Sequence, residues 1–68
     1  MTMRLYSVKY MNKHGETHTV ADRVPSDVAD MHFAEFQLGR ARVFNWWQVW
    51  IETEDGKIVD RESVNLLD

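Results

Sequence analysis

The sequence predicts an α+β fold: a small single domain over residues 1–68, in the order ββαββ, whose antiparallel sheet carries one helix packed on one face. Three features predict it. Alternating apolar residues lead into an Asn-Lys-His-Gly turn, a Pro-Ser-Asp helix start is closed by Gly39, and a run of aromatic and β-branched residues leads into Asp55-Gly56. The connections between these segments are short, and elements joined by short connections pack as neighbours.

Between Arg4 and Met11, Tyr6, Val8 and Tyr10 alternate with Ser7 and Lys9, which gives a strand one apolar face. Asn12-Lys13-His14-Gly15 then has Asn first and Gly fourth, the preference of a type I turn followed by a left-handed glycine bulge. Counting back from a Lys13-His14-Gly15 loop sets Val8 opposite Val20 and Tyr10 opposite His18, and gathers Tyr6, Val8, Tyr10 and Val20 on one face. A four-residue loop would put Thr17 and Thr19 there instead. The first register is expected because it produces an apolar face, and a slip of one residue would invert it.

Pro25-Ser26-Asp27 reads as a helix start, with Ser26 placed to cap free backbone amides and Asp27 and Asp30 suited to the positive end of the helix dipole. The helix is expected from Asp27 to about Leu38, with Gly39 as its left-handed stop and Arg40 and Arg42 near its negative end. Around its axis Met31, Ala34 and Leu38 gather on one side, and Ala29, Phe33 and Phe36 on another. One stripe can cover the sheet; the other needs company.

Val43 to Thr53 is dense in aromatic and β-branched residues and reads as the strongest strand. Alternation puts Trp47, Val49 and Ile51 on one face and Phe44, Trp46 and Trp50 on the other. Asp55-Gly56 predicts a two-residue type I′ hairpin, which sets Trp50 opposite Arg61 and Glu52 opposite Val59. The last strand is expected to reach about Val64, although the residues beyond Asp60 also suit a short helix. The expected core is Tyr6, Val8, Val20, Trp47, Val49 and Ile51 together with one helix stripe.

Composition narrows the function classes. The chain of 68 residues has no cysteine, so disulfides and thiolate metal sites are out, and its core is thin. Three Trp, three Phe and two Tyr supply apolar area for completing that core internally or against a partner. Met1 to Lys9 turns polar before an apolar signal region develops, and no apolar run approaches the roughly 18 residues of a membrane span. A soluble, cytoplasmic protein is expected. Its net charge of −3, from 11 acidic and 8 basic residues, is opposite to the basic excess of a nucleic-acid binder and suits a basic protein partner.

No catalytic, metal or cofactor site is expected. His14 falls in a turn, His18 on a strand and His32 on the helix, without the close helical spacing of zinc enzymes. There is no glycine-rich phosphate loop and no serine in an elbow motif, and carboxylates around a hairpin tip are ordinarily a solvated turn. What remains is the aromatic face. Phe44, Trp46 and Trp50 form a candidate partner-binding surface, with Arg61 opposite Trp50 and the acidic hairpin Glu52, Glu54 and Asp55 as an electrostatic guide. The plainer reading is that a C-terminal segment or a bend in the sheet covers these rings as core. The same rings with Arg4, Lys9, Arg40, Arg42 and Arg61 could stack bases, but the acidic hairpin would repel a phosphate backbone.

The expected function is a small non-catalytic protein-binding module. In length, acidity and simple α+β make-up the chain resembles phage and mobile-element inhibitors, anti-CRISPR proteins among them. That resemblance is one of fold type and carries no motif; it implies a protein that occludes a surface on a larger macromolecular complex. The alternatives are a homodimeric structural or accessory subunit, and a single-stranded nucleic-acid binder using the Trp face.

Overall fold

The computed structural model describes residues 4–63. Its elements are β1 (Tyr6–Asn12), β2 (Thr17–Val24), α1 (Ser26–Gln37), β3 (Trp46–Thr53) and β4 (Ile58–Ser63), in the expected ββαββ order. All pairings are antiparallel and the strand order is β2-β1-β3-β4. Two hairpins are therefore joined along β1 and β3, and the helix between them packs across β2, β1 and β3. The expected end of the last strand at Val64 lies outside the described residues.

The core lies between α1 and the central strands. Val8 and Val49 are fully buried, and Ile51, Ala29, Phe33 and Phe36 complete it. Of the two helix stripes, the one with both phenylalanines covers the sheet, since it removes more apolar area from water. Met31 and Leu38 of the other stripe remain 53% and 64% exposed. The helix begins one residue earlier than expected. Pro25 holds the N-cap position, its carbonyl accepting the Ala29 amide at 3.0 Å, so Ser26 sits inside the first turn and its hydroxyl caps nothing. At the other end Gly39 is left-handed, as expected. The Arg40 amide donates to the Glu35 carbonyl at 2.8 Å and the Gly39 amide to that of Phe36 at 3.3 Å, the paired bonds of a Schellman stop.

The first hairpin turns at Lys13-His14-Gly15 as expected, with Tyr10 opposite His18 and the two rings stacked at 5.1 Å. Buried Asn12 organises the turn. Its Oδ1 accepts the amides of His14 and Glu16 at 2.9 and 3.0 Å, and its Nδ2 donates to Glu16 Oε1 at 2.9 Å. Beyond this, β2 departs from the simple register. Val8 pairs with Ala21 rather than Val20, and Tyr6 pairs with Val24. One extra residue near Val20 lets both Val20 and Ala21 pack on the core, and a second irregularity places Arg23 at φ 55. Bulges of this kind bend an outer strand and spoil it as a template for further pairing.

The second hairpin differs from expectation at its tip. The Gly56 amide donates to the Thr53 carbonyl at 3.0 Å and the Thr53 amide to the Lys57 carbonyl at 2.8 Å, which closes a three-residue Glu54-Asp55-Gly56 loop. A type I′ turn would need Asp55 at positive φ, and Arg23 is the one described non-glycine residue there. Glu52 consequently pairs with Ile58 rather than Val59. A register shift between Ile51 and Glu52 absorbs the difference, so Trp50 still faces Arg61 as expected.

At its start β3 differs in two ways. It begins at Trp46 rather than Val43, which leaves Phe44 in the connection from α1. Its ladder with β1 also slips by one: Met11 pairs with Gln48, but Asn12 pairs with Trp46. Trp47 is the extra residue of this bulge. Simple alternation therefore puts Trp46 on the wrong side of the sheet and counts Trp47 as core.

Candidate interaction surface

The bulge decides where the aromatic residues of β3 go. Trp46 packs on the helix side of the sheet, partly buried, with its ring edge-on to Phe36 at 5.5 Å and 84°. The expected core member Trp47 is instead 40% exposed. The gain from seating an indole edge-on against Phe36 is the physical reason for the reversal, since such a contact adds to plain area burial. Phe44, outside any strand, is 90% exposed, a value rare for so large an apolar ring.

Trp50 alone of the three expected anchors lies on the sheet's open face. Half-buried there, it is flanked by its cross-strand neighbours Lys9 of β1 and Arg61 of β4. The structure thus brings together Trp50, Arg61 and Glu52, and separates them from Trp46 on the helix side and from Phe44 in the loop.

The acidic hairpin is not a free patch of negative charge. Glu52 binds Lys9 Nζ at 2.6 Å, and Glu54 lies 3.5 Å from the Arg23 guanidinium in an exposed pair of little energetic weight. Asp55 accepts the Thr53 hydroxyl at 2.6 Å. That bond, helped by its own backbone amide and by Lys57, holds its carboxyl below the ordinary value. Thr53 also accepts the Lys57 amide at 3.1 Å, so these side chains serve the turn first. The hairpin tip and Trp46 lie at opposite ends of β3, roughly 23 Å apart at the usual rise per strand residue.

Sequence reasoning names Arg40 and Arg42 near the helix end and as candidate phosphate contacts, and Phe44 as an anchor, but does not join them into one surface on the connection between α1 and β3. Leu38 to Asn45 includes Arg40 and Arg42 and no carboxylate. Both arginines, with Tyr10, Val20, Phe36 and Val43, line a groove of about 460 Å³ between this connection and β2. The run of two arginines with Phe44 and no acid was a readable signal; the groove behind it was not, because it is assembled from β1, β2, α1 and the loop.

Among the described residues no three His, Cys, Asp or Glu side chains stand together to hold a metal ion. No helix among them is long and apolar enough to cross a membrane. Comparison with protein-family models, with curated proteins and with solved structures finds no match to this chain.

Proposed function

We propose that this protein is a small non-catalytic binding module that acts in the cytoplasm by occupying a surface on a larger protein or protein complex. The observation that carries this reading is Phe44, 90% exposed on the connection into β3, with Trp47 exposed three residues further on. A large aromatic ring left almost wholly in water on the connection, with a second ring partly exposed at the start of β3, gains free energy when a partner buries it, and such residues dominate binding energetics. An inhibitor of the phage or mobile-element kind fits this chemistry, since occlusion needs a surface and no reacting groups.

Phe44→Ala and Trp47→Ala should each melt close to wild type, within about 1 kcal/mol, because neither ring belongs to the core. Each should weaken capture of the partner, measured by size exclusion of the mixture, by at least about 2 kcal/mol, or roughly thirtyfold. Capture indifferent to both substitutions would remove the reading. Sedimentation at twice the monomer mass without any partner, abolished by Phe44→Ala, would assign the same rings to a second copy of the chain.

A further inference from the structure

The groove beside the α1–β3 connection combines three properties. Its floor is apolar, made by Tyr10, Val20, Phe36 and Val43, all buried or partly buried members of the core cluster or its margin. Its rim carries Arg40 and Arg42, both exposed, and neither is ion-paired with a carboxylate among the described residues. Its outer wall is β2, whose bulge at Val20 turns that side chain toward the core, so an occupant is held by side-chain contacts rather than by strand pairing. Glu35 also lines the groove, its carboxylate 3.2 Å from His32 Nδ1, so the lining carries two guanidinium groups against one carboxylate.

We propose that this groove binds a short protein segment in which an Asp or Glu stands next to a large apolar residue. The inference rests on the protein-binding reading above and specifies the chemistry of the partner. The apolar side chain lies on the Tyr10 and Phe36 floor, and the carboxylate pairs with Arg40 and Arg42, whose planar guanidinium groups match carboxylate oxygens. The chain as a whole is acidic, yet its charge at this surface is positive, so complementarity here selects an acidic segment. A polynucleotide is the weaker fit. Two arginines neutralise few phosphates, and a net charge of −3 opposes a polyanion more than a short acidic peptide.

The test uses the full chain, isotopically labelled, titrated with the blocked peptide acetyl-Glu-Leu-Asp-Phe-Glu-amide and with its Gln/Asn counterpart, and read by amide chemical shifts. The acidic peptide should move the resonances of Val20, Phe36 and residues 40–43 and bind at least about tenfold tighter than the neutral one. Added salt should shrink that advantage, and an Arg40→Gln/Arg42→Gln variant that melts like wild type should abolish it. Equal binding of the two peptides, no binding of either at millimolar concentration, or an undiminished advantage in the double variant would overturn the proposal. Tighter binding of a thymidine oligonucleotide than of the acidic peptide would overturn it in favour of nucleic acid. Loss of peptide binding while partner capture still depends on Phe44 and Trp47 would remove the groove and leave the binding module standing.

Discussion

Phe36→Ala should cost about 3–5 kcal/mol, a loss that a domain of this size can barely absorb. The ring is 3% exposed and is the point where three elements meet. Tyr10 of β1 lies against it at 5.5 Å with a 37° tilt, and Trp46 of β3 meets it edge-on at 5.5 Å. Removing it takes away the helix's hold on both central strands and leaves a cavity that rigid strands beneath cannot fill. Denaturant unfolding of the variant beside wild type measures the loss. Phe36→Leu, which keeps most of the volume, should recover the larger part of it. A Phe36→Ala midpoint close to wild type would show that α1 is not anchored through this ring.

The second large effect separates two adjacent tryptophans. Trp46→Ala should cost about 2–4 kcal/mol, since a partly buried indole with an aromatic partner is lost, whereas Trp47→Ala should stay within about 1 kcal/mol. Plain alternation from Val49 predicts the reverse order. Urea midpoints of the two variants at equal m-values decide between them. Equal losses, or a larger loss at Trp47, would mean that β3 runs on without its bulge.

This contrast also marks where the sequence was legible. The Lys13-His14-Gly15 turn and the Gly39 stop could be read because their causes are local: Asn12 bonds amides two and four residues ahead of it, and only glycine enters left-handed backbone cheaply. The two-stripe helix was legible as well, down to the residues of each stripe, but not which stripe would win. The bulges at Trp47 and Val20 were hidden, because each trades a backbone pairing for the burial of a side chain against α1, and that gain exists only once the fold is assembled. At the second turn the strong Asp55-Gly56 signal lost to Thr53, whose hydroxyl joins Asp55 and the Lys57 amide in the longer loop. As for the candidate surface, the aromatic residues could be named but not assembled. Phe44 was assigned to a strand it precedes, Trp46 to the face it does not occupy, and the arginine groove draws on segments far apart in the chain.

The irregularity near Val59 acts as a mechanical fuse for the second hairpin. A three-residue tip takes up one residue more than a two-residue tip, and the slip between Ile51 and Glu52 gives that residue back before Trp50 and Arg61 meet. Both tips are therefore compatible with the same sheet, and exchange between them would rearrange only residues 52–59. Substitutions at the tip are thus isolated from the centre of the molecule. In an Asp55→Asn variant, which favours the shorter turn, amide shifts should change up to Ile58 and Val59 and fade at Trp50 and Arg61. Changes spreading through Trp50 to Lys9 would show that the strand moves as one piece.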